Sequence, residues 1–261
     1  MNLKWQLVSV LVFAGVISSR AVLTLSGTSY VETFDNIGSG LPTGWSVNTG
    51  ASASSVGSAA TFDTAQKTWG DTGGSFKNVA SLEGLASISS KAEQDKSTDR
   101  ALGIRQTGSF GDPGAAFELN IQNTAGLHDF SLSVSLQMLY ESFQGRSTTW
   151  TMDYRVGDSG DFTSLGTYTD PGTFGSTTFT ANSTELNSWD NQSQDIWFRV
   201  VALSASTGSG SRDTFAIDDF SLTYSAAPEP REWGLISGAG LLALCGISTW
   251  RERRAAKPRV I

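Results

Sequence analysis

Short runs of alternating apolar and polar residues recur through the middle of the chain. The clearest is residues 130–138 (FSLSVSLQM), in which every second residue is apolar. Residues 150–156 (WTMDYRV) and 215–224 (FAIDDFSLTY) repeat the pattern, the latter around an aspartate pair. Alternation with period two is typical of a strand that buries one face. Residues 195–203 (DIWFRVVAL) are apolar on both faces apart from Arg199 and the first residue, Asp195, which predicts a central strand.

Turn-forming residues separate these runs. Residues 157–161 (GDSGD) and 170–172 (DPG) are turn sequences, because glycine, aspartate and proline supply a positive or a preset φ. Residues 49–60 are low in complexity and residues 91–100 are densely charged, so both are predicted to be surface loops. Many short strands with such breaks predict an all-β fold, an antiparallel jelly-roll-type β-sandwich over residues 22–225.

The amino-terminal end has a different pattern. Residues 1–21 carry Lys4 near the start, an apolar stretch from Leu7 to Ile17, and the small-x-small sequence Ser19-Arg20-Ala21. This order is typical of a secretory signal peptide, and we expect cleavage after Ala21. The alternative is a buried core helix, which the basic start and the small-residue end argue against.

The carboxyl-terminal end contains a second apolar segment. Residues 233–250 carry no charge over 18 residues, close to the roughly 20 residues that cross the hydrocarbon core of a bilayer. A basic cluster follows, and such clusters stay on the cytoplasmic side, which places the body outside the inner membrane. We expect a transmembrane helix here. The alternative to a segment that is removed during processing is a permanent single-span anchor.

The whole segment 226–261 resembles the PEP-CTERM sorting signal, which combines a short motif, an apolar helix and a basic end. The residues that carry the likeness are Pro228, Glu229, Pro230, Arg251, Arg253 and Arg254. The resemblance implies a protein of a Gram-negative bacterium that is exported through the Sec machinery, processed by an exosortase, and delivered to the cell surface, the matrix or a biofilm. The chain departs from the pattern in its extra stretch 255–261 and its short, glycine-rich apolar run.

The charge of the body differs from that of the whole chain. Between Val22 and Ala227 there are 10 basic and 22 acidic residues, a net charge of −12, whereas the whole chain carries −7. Nucleic-acid binding rests on neutralised phosphates, so an acidic body argues against it. The single cysteine, Cys245, lies in the apolar run. The body therefore has no disulfide, and we expect core burial or a bound metal to stabilise it.

Three stretches of the body resemble extracellular jelly-roll adhesion modules of the cleaved-adhesin and MAM-like kind. They are ETFD at 32–35 followed by LPTGW at 41–45, the strand at 150–156, and FAIDDF at 215–220. The resemblance implies a two-sheet sandwich whose first and last strands lie near each other. It also implies a structural calcium ion among carboxylates of those strands.

Four carboxylates are the candidate calcium ligands: Glu32, Asp35, Asp218 and Asp219. Calcium takes six to eight oxygen ligands, largely from carboxylates and carbonyls. Asp218 interrupts an otherwise apolar strand, where an unpaired charge is costly. The alternative is that backbone donors, arginine or solvent satisfy these carboxylates.

Sugar binding is a second candidate activity. Aromatic faces stack on pyranose rings, and three aromatic residues in polar surroundings are expected to be exposed for this purpose: Trp69, Tyr140 and Trp189. Large aromatic side chains also contribute most to a core. The tryptophans expected there are Trp45, Trp150 and Trp197.

Catalytic and zinc chemistry find little support in the sequence. His128 is the only histidine, and no G-x-S-x-G accompanies it. One histidine and one cysteine do not make a zinc site. We therefore expect a non-enzymatic cell-surface or matrix protein with an adhesion or structural role, whose partners are extracellular polysaccharide or surface proteins. The alternatives are a carbohydrate-binding module and, third, a lectin-fold glycoside hydrolase with two facing carboxylates.

Overall fold

The computed structural model describes residues 21–139 and 145–226, and most of their regular structure is β-strand. One short helix, α1 (Lys91–Lys96), and two 3-10 turns (Ile37–Ser39 and Asn187–Trp189) accompany the strands. The strands are β1 (Ser29–Glu32), β2 (Trp45–Thr49), β3 (Ser58–Ala59), β4 (Phe62–Lys67), β5 (Phe76–Ala80), β6 (Arg100–Arg105), β7 (Ala116–Ile121), β8 (Leu127–Met138), β9 (Thr149–Val156), β10 (Thr163–Thr169), β11 (Gly175–Ala181), β12 (Ile196–Val201) and β13 (Thr214–Ala226).

These strands form two sheets. The seven-stranded sheet has the order β11-β8-β13-β6-β5-β4, with β1 pairing with β13, and the six-stranded sheet has the order β10-β9-β12-β7-β2-β3. Neighbouring strands are antiparallel except β4 and β5, which are parallel. The predicted all-β, two-sheet sandwich is confirmed.

The core lies between the inner faces of the two sheets. Trp150 of one sheet stacks on Phe215 of the other, with ring centroids 4.1 Å apart. The alternate apolar residues of β8 and β13 are buried as the period-two pattern predicts. The strand β12 lies between β9 and β7 and is buried along its whole length, which confirms the central strand predicted over residues 195–203.

Residues 91–100 are not a loop throughout, and that prediction was wrong for α1. The Ser90 hydroxyl accepts a hydrogen bond from the Glu93 amide, and the Ser90 amide donates to the Glu93 carboxylate at 2.6 Å. This reciprocal pair is a capping box, which begins a helix. Lys91 and Asp95 form an ion pair at 2.8 Å one turn apart. The dense charge is therefore the local pairing pattern of a short helix.

The predicted end segments fall almost wholly outside the described residues. This applies to the signal peptide at 1–21, and to the segment 226–261 with its PEP motif, basic residues and apolar run at 233–250. Within the part of the chain that the structure describes, no helix has the length and apolar character to cross a membrane. The transmembrane helix stays a prediction.

Candidate functional site

The first and last strands pair directly, as the resemblance implied. β1 runs antiparallel to β13 through four residue pairs, from Ser29 opposite Thr223 to Glu32 opposite Phe220. Glu32 ends β1, and the aspartates 218 and 219 directly precede Phe220. This pairing places Glu32 near the aspartates in the middle of β13, where the pairing with β6 ends and the pairing with β1 begins.

Asp218 and Asp219 form a bulge in β13. Asp218 pairs with Ser135 of β8, and the next pair is Ser221 with Ser133, so the register shifts between them. Asp219 has a φ of 45°, in the left-handed region that aspartate tolerates better than most residues. The aspartate pair therefore marks a bulge inside one continuous strand, and it turns Asp219 towards solvent while Asp218 stays buried.

The carboxyl group of Asp218 belongs to a buried polar network. Its Oδ2 accepts a hydrogen bond from Gln137 Nε2 at 3.1 Å, and its Oδ1 accepts one from the Asp219 amide at 2.9 Å. Gln137 also donates to the Ser81 hydroxyl, and its Oε1 accepts from the Leu82 amide. Burial raises the pKa of Asp218 to about 8. Burial therefore favours the protonated form of this carboxyl group.

Glu32 and Asp35 make hydrogen bonds within the protein. Glu32 Oε1 accepts from the Phe34 amide at 2.9 Å. Asp35 Oδ1 accepts from the Arg100 amide at 3.0 Å, and its Oδ2 accepts from the Thr33 hydroxyl at 2.9 Å. These backbone and hydroxyl donors satisfy the carboxylates in the way that the alternative to calcium binding predicts.

An acidic cluster nevertheless surrounds the bulge, and we define it as Asp35, Glu83, Asp99, Asp218 and Asp219. Burial and the charges of Asp35 and Glu83 raise the pKa of Asp99. Burial and the same two charges raise the pKa of Asp219. Over residues 21–139 and 145–226, no three His, Cys, Asp or Glu side chains converge closely enough to hold a metal ion. The calcium site stays a prediction, with Asp35, Asp218 and Asp219 in the cluster and Glu32 outside it.

A polar groove of about 740 Å³ opens beside the acidic cluster. It lies between the 3-10 turn at Ile37–Ser39, the strand β4, and the segment that joins α1 to β6. Most of its lining is polar. The residues that supply oxygen and amide groups include Asp35, Asn36, Thr64, Gln66, Asn78 and Asp99.

Arg100 fixes the floor of this polar groove. Its Nε donates to the Asn78 side chain at 2.7 Å and its Nη2 to the Asn78 carbonyl at 3.1 Å. Its Nη1 donates to the carbonyl of Gln94 in α1 at 3.1 Å. The side-chain Nδ2 of Asn78 in turn donates to the Thr64 carbonyl of β4 at 3.0 Å. Because one guanidinium joins α1 to β5, the groove is held in shape before any ligand arrives.

The sequence pointed to Asp35 but missed the rest of the groove. Asn78 lies in β5 and Asp99 directly precedes β6, and no local motif links them. They meet because β5 and β6 pair and because Asp35 accepts a hydrogen bond from Arg100. The capping box at the start of α1 is the one sequence motif near the groove that indicates local structure.

The tryptophans expected to bind sugar are buried, so their predicted exposure was wrong. Trp69 is 2% exposed, donates from Nε1 to the Ala80 carbonyl at 2.8 Å, and packs on Phe174. Trp189 is fully buried and its ring contacts those of Phe130 and Tyr154. Both have polar neighbours in sequence but apolar neighbours in space. Neither offers a free ring face.

Of the other aromatic residues in question, Tyr140 lies outside the described residues. Trp45 and Trp150 are in the core as predicted. Trp197 is buried too, but on the outer face of the six-stranded sheet, where its Nε1 donates to Asp158 Oδ1 at 3.3 Å. Its predicted burial is confirmed, with the ring on the outer face of the sheet instead of between the two sheets.

Comparison with known proteins yields only distant likenesses. No protein-family model and no curated protein matches the chain. The chain is similar to a solved xylan-binding module CBM15 at 10% identity and a TM-score of 0.41, covering 77% of this chain and 100% of that one. It is also similar to a cleaved adhesin domain of Lys-gingipain from Porphyromonas gingivalis, at 13% identity and a TM-score of 0.39, with coverage of 77% and 100%.

A third likeness is to the CBM22-1 xylan-binding domain from Paenibacillus barcinonensis, at 11% identity and a TM-score of 0.38, with coverage of 76% and 95%. At these identities and scores the likenesses carry no argument about function. The sandwich architecture rests on the strand pairing described above.

Proposed function

We propose that this protein is a non-enzymatic extracellular binding and adhesion module whose ligand site is the polar groove. One observation carries the proposal: a preformed groove of about 740 Å³ is lined mainly by carboxylate, amide and hydroxyl groups. Such a lining suits a ligand that both donates and accepts hydrogen bonds, because a buried polar group without a partner is costly. An apolar ligand would leave these groups unsatisfied.

The groove also supports the second candidate function, a carbohydrate-binding module. Sugar hydroxyls donate and accept at once, and carboxylates and side-chain amides are their natural partners. Asn36 and Gln66 are exposed at the groove. Asp35 and Asp99 add acceptors. A hydroxyl-rich ligand such as a polysaccharide segment is therefore the class of ligand that we assign to the groove.

A glycan array followed by calorimetry tests this assignment. We expect saturable binding of at least one glycan, and loss of that binding in the double variant Asn36→Ala/Gln66→Ala. The matched control is Thr163→Ala/Thr167→Ala, which removes two exposed polar side chains from β10, away from the groove. Binding that survives the groove variant contradicts the site. If the unchanged protein shows no saturable sugar binding, an adhesion or structural role without a sugar ligand is the remaining function. Turnover of the glycan would instead make the protein a glycoside hydrolase.

We further propose that the protein is exported and sorted through its two ends, with residues 1–21 as signal peptide and residues 226–261 as a PEP-CTERM-like signal. The order of charged, apolar and small residues supports the first, and the order of motif, apolar run and basic end supports the second. The proposed partners are the Sec machinery, an exosortase and, before processing, the inner membrane. Mass spectrometry of the mature protein tests this: a mature form that still carries residues 233–250 contradicts removal.

A further inference from the structure

The two sides of the sandwich have edge strands of different character. Among the strands that the structure describes, β10 and β11 are the outermost of their sheets on one side, and β3 and β4 are outermost on the other. Gly166 of β10 and Phe179 of β11 meet, since a Cβ on this glycine would lie 3.0 Å from the phenylalanine ring. An edge strand presents unpaired backbone groups and so invites pairing with another chain.

The side formed by β3 and β4 is protected against such pairing. β3 has only two residues. β4 carries the ion pair between Asp63 and Lys67 at 2.9 Å, and its register with β5 shifts between Asp63 and Gln66. Short strands, charged side chains and bulges are the features that prevent edge-to-edge association.

The edge strand β11 has none of these features. Its sequence GSTTFTA contains no charge and no proline. Seven consecutive residues pair with β8 without a register shift, from Gly175 opposite Met138 to Ala181 opposite Leu132. β10 is uncharged as well, but its pairing with β9 shifts between residues 164 and 166. β11 is therefore the one of these two edges that is both regular and uncharged.

We infer that β11 pairs antiparallel with β11 of a second copy of this chain, which joins two seven-stranded sheets into one. The body between residues 22 and 227 carries a net charge of −12, so two copies repel each other over most of their surfaces. β11 contributes no charge to that repulsion. The contact is independent of the groove and of any ligand there.

The residues of β11 are self-complementary in this arrangement. When the two-fold axis passes beside Thr178, this residue lies opposite Thr178 of the second copy. Ser176 then lies opposite Thr180 of the second copy. All three are exposed and share one face of the strand. Hydroxyl pairs across neighbouring strands are favourable, and an isologous two-fold contact requires such self-matching.

Sedimentation of the full chain in a mild detergent tests the contact. We expect a dimer. Thr178→Lys should raise its dissociation constant by about tenfold or more, because like charges directly opposite each other destabilise a strand pair. Thr167→Lys on β10 is the matched control and leaves the dimer unchanged. An equimolar mixture of Thr178→Lys and Thr178→Glu restores association, which separates the charge effect from misfolding. A dimer unaffected by Thr178→Lys, or no dimer at all, overturns the inference.

Cysteine crosslinking tests the register. In a chain with Cys245→Ser, Thr178→Cys places two thiols opposite each other at a separation that a disulfide spans. We expect Thr178→Cys to crosslink on mild oxidation and Thr163→Cys on β10 not to. Equal crosslinking of the two variants contradicts the pairing of β11. The groove variant Asn36→Ala/Gln66→Ala should keep the dimer. The proposal of a β11 contact and the proposal of a ligand site are therefore tested independently.

Discussion

Arg199 and Asp153 form a bidentate ion pair across β12 and β9, with Nε to Oδ1 at 2.8 Å and Nη2 to Oδ2 at 2.7 Å. Both side chains are buried on the outer face of the six-stranded sheet. Nη1 of the arginine also donates to the carbonyls of Ser52 and Ser55, and the guanidinium lies over the ring of Phe162. The one charged residue of β12 thus holds a surface loop onto the sheet.

Removing one partner of this ion pair is expected to destabilise the fold strongly. Asp153→Asn removes the carboxylate that binds the buried Arg199 through two hydrogen bonds, a change that costs about 3–5 kcal/mol. Urea unfolding measures the difference. The control is Asp95→Asn in the exposed pair with Lys91, which should leave the midpoint nearly unchanged. Similar shifts in the two variants would contradict the prediction.

Asp213 should make stability depend on pH. Burial and the nearby Asp170 carboxylate raise its pKa from 3.8 to about 6, although Arg105 opposes the rise. Between these values the folded chain holds a proton that the unfolded chain releases, so stability falls as pH rises through this window. Asp213→Asn removes that contribution, and unfolding midpoints in EDTA at several pH values measure it. Asp218 contributes with the same sign over a wider window, so only the difference from the unchanged protein is diagnostic. The exposed control Asp161→Asn should retain the full pH dependence.

Calcium, if bound by the acidic cluster, should raise the melting temperature. A ligand that binds only the folded state adds stability that grows with its concentration, by about 2.7 kcal/mol at a hundred times its dissociation constant. We expect a higher melting temperature in calcium than in EDTA, and loss of the difference in Asp219→Asn. Asparagine tolerates the positive φ at this position, so the variant should still fold. The same melting temperature with calcium and with EDTA rules the site out.

Trp69 should matter for stability and not for sugar binding. Trp69→Ala empties a buried site and is expected to cost about 3–5 kcal/mol. Trp69→Phe keeps most of the volume but removes the donor to the Ala80 carbonyl, so it should be milder. Calorimetry of the folded Trp69→Phe variant with a glycan that the protein binds should give an unchanged affinity. A large loss of affinity would restore the sugar-stacking role.

Part of the candidate site was accessible from the sequence and part was not. Asp218 and Asp219 stood out because they interrupt an alternating strand, and the structure shows a bulge there. Glu83 and Asp99 carried no such signal, since their proximity depends on the pairing of β5 with β6. Trp69 was predicted to be exposed because its sequence neighbours are polar. Its spatial neighbours instead form a second apolar cluster.

The sequence by itself determined the strands, the two-sheet class and the acidic character of the body, because period-two burial and charge are properties of consecutive residues. The tertiary structure alone decided which strands are neighbours, which tryptophans are covered, and where carboxylates and amides converge into a groove. Those outcomes depend on contacts between residues far apart in the chain. Local patterning does not encode such contacts, whereas the packing of the two sheets does.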